Sequence, residues 1–514
     1  MKQLVFRAWQ RFLGWNPRAL GLIATCLMML GSFGGGAVRN RGGLLQVINL
    51  EFLAFGHGAG FSNVTFWIGS VTFICAWFLL GRKVVARVIS LRELRRIVAI
   101  WIVPLIFAAP FMSRDVYSYL MQGALLRDGF DPYTQGPAVN PGAYLFEVSH
   151  DWRNTTTPYG PLHLWIGKAI THLTGDSVTL GIACFKVLSL AGFAAIAWAV
   201  PRIAQELGGN PLFAFWLGVA NPVMVFHLIG GMHNESIMVG LVSIGIYWCL
   251  RRSVPNFIAA VGIIALAMSL KATAALVLPF VVWIALTPTR EEHPNNTALL
   301  IRRFIYFAAG GAAITIAVLA LVTWCSGSNW GWIAALTGNS KVINPLAFPS
   351  LVTSLISSFG GLWIEPFPYN SVLTVVRSIS MLIMAVGLVW CWWKFRRTPQ
   401  AAIQGATAAY CVAFFFNAVT LPWYYSSILA LVGTFRSPRW VRTLAIGGSI
   451  VVALAFSGGG NHQLYNPVWM TASGIAAWIF TRHLHAVSAS YQHPASGEHS
   501  TPATAATDSK YTSQ

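Results

Sequence analysis

Residues 64–81 read VTFWIGSVTFICAWFLLG, eighteen positions without one charged side chain, and Arg82, Lys83 and Arg87 follow at once. At about 1.5 Å of rise per helical residue, such a run nearly crosses the roughly 30 Å hydrocarbon layer of a bilayer. The cations that close it mark the cytoplasmic side. On either side of it the same pattern recurs. Apolar windows fall near 20–38, 64–81, 97–112, 177–200, 211–229, 235–250, 255–270 and 272–287, then near 304–325, 372–394, 400–421, 424–435, 443–457 and 468–481. The expected fold class is therefore all-α and polytopic, with about 13–14 transmembrane helices.

Composition agrees. Of 514 residues, 56% are hydrophobic and 10% charged, whereas a water-facing surface normally needs about a quarter charged. Lys+Arg 34 against Asp+Glu 15 leaves +19. The excess sits in short clusters between apolar spans, which is the signature of topology and excludes a nucleic-acid footprint. Seven cysteines, with no C-x-x-C spacing, lie inside apolar stretches and read as buried thiols. Residues 20–38 lack a small-residue cleavage site and read as a retained signal anchor.

The basic clusters set direction. Arg92, Arg95 and Arg96, then Arg251 and Arg252, then Arg302 and Arg303, then Arg396 and Arg397, then Arg436 and Arg439 can all be cytoplasmic at once. Both termini are then cytoplasmic in a plasma-membrane protein, with residues 1–484 as one membrane domain. Residues 161–174 re-enter from the outer side, and 485–514, rich in Ser, Thr, Ala and Pro, form a disordered cytoplasmic tail. This arrangement puts loops 113–160 and 326–370 and the turn 230–235 outside.

Five of the fifteen acids crowd the first of those loops: Asp115, Asp128, Asp131, Glu147 and Asp151. Asp115 stands where the chain leaves the bilayer, a place that suits a general base for a hydroxyl and equally a cap for a helix over 116–126. Tyr117, Tyr133 and Tyr159, with Asp131 between them, suit a sugar, whose hydroxyls bind carboxylates and whose ring faces stack on aromatics; an interfacial aromatic belt has the same composition. Gly231-Met232-His233-Asn234-Glu235 places three polar groups at headgroup depth. His233 and Glu235 alone make too small a set to expect a metal. Lys271, isolated among apolar residues, either snorkels to the headgroups or binds the phosphate of a lipid substrate, and Arg114 can share that duty.

Arg114-Asp115-Val116-Tyr117-Ser118-Tyr119, Gly129 with Asp131-Pro132-Tyr133, Pro158-Tyr159-Gly160-Pro161, and Gly231-Met232-His233-Asn234-Glu235 together resemble the actinobacterial α-1,6-mannopyranosyltransferases. Those belong to the GT-C superfamily of membrane glycosyltransferases. The resemblance spans all but the Ser/Thr-rich tail. It implies a GT-C-like bundle, a polyprenyl phosphomannose donor, a mannan or lipomannan acceptor on the outer leaflet, and no nucleotide-sugar cofactor. It implies also that the essential carboxylate is the loop aspartate, by position Asp115; for transfer from such a donor, Arg114 and Lys271 are expected to stabilise the growing phosphate charge, with His233 as a helper or acid. Tyr117, Asp131, Tyr133, Tyr159, Asn234 and Glu235 are then expected to contact substrate. A β-linked donor and an α product imply inversion in one displacement.

One departure from the wider superfamily is that Asp115 has no acidic neighbour, so a metal bridged by adjacent carboxylates is not expected. Two rival readings are a transporter or lipid-linked sugar flippase and a scaffold for other cell-wall enzymes. The first predicts charges at the midplane and internal repeats, the second predicts no ordered polar site.

Overall fold

A computed structural model describes residues 2–37, 44–338 and 347–492. Every apolar window named above carries helix in it, and no strand occurs among the described residues. Many of the helices start on one local device. Asn16, Asn210, Asn221 and Thr398 each precede a proline at the first helical position and accept a backbone N–H with the side chain. Proline's missing N–H costs nothing there, and the cap satisfies an orphan donor.

Among the described residues, six helices are long and apolar enough to cross a membrane: Pro17–Gly35, Gly56–Val85, Val178–Glu206, Ala272–Glu292, Thr297–Ser326 and Tyr369–Lys394. A bent pair, Pro211–Gly218 with Pro222–Gly230 at 48°, makes up to seven. The chain is a multi-pass membrane protein. Some of the other expected spans are present as shorter helices, such as Glu235–Cys249 and Val254–Leu270, a length that suffices where helices are packed inside protein. The final helix, Pro467–Gln492, runs past the expected start of the tail at 485, and 493–514 lie outside the described residues. Part of loop 326–370, residues 339–346, also lies outside them, and the rest contains the helix Phe348–Gly360.

Small residues let the backbones meet. A Cβ on Gly31 would sit 2.6 Å from the Phe66 backbone nitrogen, so the Pro17–Gly35 helix lies directly on Gly56–Val85. At the centre Trp77 and Trp216 stack at 4.6 Å, and each indole N–H donates to the other's carbonyl, at 3.2 and 3.0 Å. Both indole donors are thereby satisfied in an apolar core. The cysteines depart from expectation: Cys249 and Cys391 are buried, but Cys325 and Cys411 are exposed on helix flanks. An apolar sequence context in a membrane helix is as compatible with a lipid-facing flank as with the core.

Loop 113–160 is ordered. It opens with the helix Asp115–Arg127, then short turns at Pro137–Val139, Ala143–Glu147 and His150–Trp152. Pro161–Thr174 is a helix with the bounds expected, and it packs on Asp115–Arg127 through Gly123 and Gly167, where a Cβ on Gly123 would meet the Gly167 carbonyl carbon at 2.1 Å. That contact fixes the Asp115 helix in place.

Candidate active site

Asp115 is the first residue of its helix. Its own N–H donates to Ser113 Oγ at 3.1 Å, while Arg114, at the cap position, makes no side-chain cap bond. The Asp115 carboxylate therefore does not serve as the cap. Its Oδ2 instead lies 3.5 Å from His233 Nδ1 and 3.5 Å from the Tyr119 hydroxyl one turn along, and that hydroxyl is also 3.5 Å from His233 Nδ1. Burial pushes the Asp115 carboxyl up, but the hydrogen bond and charge of His233, the Lys271 ammonium and Ser113 outweigh it and hold the group below the ordinary carboxylate range. It is an anion at neutral pH. His233, fully buried, lies flat on Trp423 at 3.6 Å, which fixes the ring plane.

Lys271 sits at a break, with φ −151 and ψ 125, between the helix Val254–Leu270 and the turn Ala272–Val277. Its ammonium pairs with Glu235 Oε1 and lies 4.2 Å from the Tyr424 ring centroid and 5.4 Å from that of Tyr159. The lysine does not snorkel outward; it turns in toward a carboxylate and two aromatic faces. The Pro158-Tyr159-Gly160-Pro161 motif is docked on the same break: Gly160 N–H donates to Leu270 O at 3.1 Å, and a Cβ on Gly160 would meet Ser269 O at 2.3 Å. Glycine is required there by close approach.

Asn234 joins a third group. Its Nδ2 is 3.3 Å from His163 Nδ1, and His163 Nε2 is 3.1 Å from Gln122 Oε1. An amide donating to Nδ1 leaves the proton on Nε2, which donates to Gln122. The turn 231–235 is thus tied on one side to Asp115 through His233, on the other to Lys271 through Glu235, and to the helices Asp115–Arg127 and Pro161–Thr174 through Asn234 and His163.

A cavity of about 610 Å³ opens beside these groups. Asp115, Lys271, Tyr159, Trp152 and Tyr424 line it, and Arg377 of the Tyr369–Lys394 helix joins them. Asp115 is the one acid among the described lining residues. The volume fits a sugar with a phosphate group. Among the described residues no group of three or more His, Cys, Asp or Glu side chains could hold a metal ion.

Several expected site residues lie elsewhere. Arg114 is turned from the cavity, with Nη2 3.9 Å from Glu147 Oε2, and Tyr117 is buried beside that pair. Neighbours in sequence at the start of a helix point about 100° apart, so adjacency to Asp115 did not bring Arg114 to the same face. Asp131 bonds Tyr133 N at 3.0 Å with Oδ1, and accepts from Asn329 Nδ2 at 3.0 Å and the Thr134 hydroxyl at 3.2 Å with Oδ2. It fastens one loop to another, and Tyr133 packs against Leu164, Leu319 and Trp332. His233, Asn234 and Glu235 form the wall behind the cavity.

The sequence reading passed over Arg377, Trp423, Tyr424, His163 and Gln122. Arg377 carried a usable signal, since it is a lone cation inside an apolar helix, the same reason that singled out Lys271. The aromatic pair Trp423 and Tyr424 gave none, because nothing local ties residue 423 to residue 233.

Known proteins are similar to this sequence. Residues 18–287 match the family model described as alpha-(1->6)-mannopyranosyltransferase, N-terminal domain, and 349–486 match the MptB C-terminal domain. The alpha-(1->6)-mannopyranosyltransferase A of Corynebacterium glutamicum is 54% identical, over 88% of this chain and 95% of the relative. The protein of the same description from Mycobacterium tuberculosis is 38% identical, over 90% of this chain and 89% of its own length. Alpha-(1->6)-mannopyranosyltransferase B of Corynebacterium glutamicum is 29% identical over 79% and 71%.

Proposed function

The chain belongs to the alpha-(1->6)-mannopyranosyltransferase family, and on that basis we propose that it transfers mannose from polyprenyl phosphomannose to a mannan or lipomannan acceptor at the outer face of the plasma membrane. The observation that carries this reading is one carboxylate, Asp115, lining a cavity that two cations, Lys271 and Arg377, also line. The donor is a phosphodiester with one negative charge. When its C1–O bond breaks, the prenyl phosphate becomes a monoester whose charge approaches two near neutral pH, by the second ionisation near 6. Lys271 and Arg377 stabilise that growth, and its attraction to them is stronger in the transition state than before it.

The acceptor 6-hydroxyl forms the new bond to C1, and its proton passes to Asp115. A carboxylate held below its ordinary pKa is a weak base, so removal of the proton accompanies bond formation rather than preceding it. His233 and Tyr119 orient the carboxylate and spread the charge change. With a single acid in the described lining, a second carboxylate to form a covalent sugar intermediate is lacking there, which supports one displacement with inversion. Trp152, Tyr159 and Tyr424 offer ring faces to the sugars. Val375, Ile379 and Leu382, exposed on the same helix as Arg377, offer hydrocarbon to the prenyl chain. No divalent metal is needed in this scheme.

The test is direct. Purified protein in lipid nanodiscs receives radiolabelled polyprenyl phosphomannose and a short α-1,6-mannan, and product linkage is determined. An α-1,6-extended product that disappears in Asp115→Asn supports the reading; transfer that persists in Asp115→Asn removes the base, and no product from the wild type removes the donor assignment.

A further inference from the structure

Lys186 is the ninth residue of the 29-residue Val178–Glu206 helix, one of those long and apolar enough to cross a membrane, and is 4% exposed. An ammonium there is costly unless something answers it. No ion pair to it occurs among the described residues; it donates instead to two backbone carbonyls, Leu105 at 3.2 Å and Ile229 at 2.9 Å. Both carbonyls end helices. Leu105 is in the last turn of Leu91–Ile106, and Ile229 is in the last turn of the π-helical segment Val225–Gly230. Terminal carbonyls lack the donor four residues on and carry the negative end of the helix dipole, which draws a cation; Leu105 O also accepts Ala108 N–H at 3.3 Å, and Lys186 adds a charged donor to both ends.

Both helix ends lead into the site. The chain from Leu105 reaches Asp115, and the chain from Ile229 reaches His233 four residues on. The two segments touch on the way: Phe111 N–H donates to Gly230 O at 3.3 Å, and a Cβ on Gly230 would strike the Phe111 ring at 1.9 Å. Each then passes through a methionine in the left-handed region, Met112 at φ 63 and Met232 at φ 53. Such conformations persist only where the surroundings hold them. The same helix adds a second fastening, since Ser189 Oγ donates to Leu228 O at 2.7 Å and Ser236 Oγ donates to Ser189 O at 2.6 Å.

We propose that Lys186 is a positioning residue for the transfer reaction: by clamping the ends of two helices it holds the segments bearing Asp115 and His233 in register. It touches neither substrate nor the reacting atoms. The inference rests on Asp115 being the base, and the experiment separates the two.

Lys186→Met removes charge and donors at similar length, Lys186→Gln keeps a neutral donor, and both are compared with Asp115→Asn and wild type in nanodiscs, with folded protein counted by size-exclusion and thermal melting. Per folded molecule, Lys186→Met is expected to keep the KM for polyprenyl phosphomannose and to lose up to about a hundredfold in kcat, the order expected when reacting groups shift by about an ångström. Lys186→Gln should fall between it and wild type. A purely structural lysine would lower the melting temperature and the yield without moving kcat per folded molecule, and that result overturns the proposal. So does a raised KM with kcat kept, or failure of both variants to fold. If Asp115→Asn retains full turnover, the base assignment falls first; if Asp115→Asn is inactive while Lys186→Met turns over normally, only the positioning role falls.

Discussion

Asp115 and Asp131 lie in one loop, and each is followed two residues later by a tyrosine. In sequence they look equivalent. In the fold, Asp131 spends both oxygens on the protein, bonding Tyr133 N, Asn329 Nδ2 and the Thr134 hydroxyl. Asp115 makes no such backbone commitment; it faces a cavity on one side and a buried imidazole on the other. An acid is available for chemistry, then, when its surroundings charge it without saturating it.

Substituting both acids in parallel should give the largest separation. Asp115→Asn should lower mannosyl transfer by about 10²–10⁴-fold, the usual share of a positioned base, while Asp131→Asn should keep kcat near wild type and lower the melting temperature. Equal losses in the two variants would erase the distinction between them. Next in size is Lys271→Met, which strands Glu235 as a buried charge; about 3–5 kcal/mol of stability should go with it. The melting curve reads that loss, and donor use should fall further than acceptor use. Arg377→Ala should act mainly on donor KM, by about tenfold for one lost charge-assisted contact to the phosphate, and an unchanged KM would take Arg377 out of the donor site.

A finer test uses pH. Because His233 helps hold the Asp115 carboxyl down, wild-type activity should persist as pH falls below the ordinary carboxylate range and fail only at the depressed pKa. Stability contributed by that carboxylate has the same sign: it is present above the unfolded value and is lost as pH falls through the folded one. His233→Gln removes the imidazole, so the acid limb of kcat should move to higher pH; an unmoved limb would detach His233 from Asp115. The smallest expected effect is that of EDTA, which should leave the initial rate unchanged if Lys271 and Arg377 meet the phosphate charge alone.

How much of this was readable beforehand depends on the range of each signal. Helices announced themselves through apolar length and through Asn-Pro and Thr-Pro starts, both local. Asp115 was legible because it stands at the mouth of an apolar window in an acid-rich loop, and Lys271 because it is alone in hydrocarbon. Arg114 misled, since adjacency along a helix is not adjacency in space. Asp131 and Tyr133 misled because a turn built to join two loops has the same composition as one built to hold a sugar.

The order of the amino acids was enough to establish a helical membrane protein, roughly where its helices run, and that its acids gather in one loop; hydropathy and capping act between neighbours in the chain, so they can be read there. It took the folded chain to settle which of those acids faces the cavity, that Trp423 supports His233, that Arg377 joins Lys271, and that Lys186 grips two helix ends. Those pairings depend on how far helices can approach and where their side chains point. That geometry is set by contacts such as Gly123 on Gly167 and Gly160 on Ser269, between residues that the chain holds tens to hundreds of positions apart.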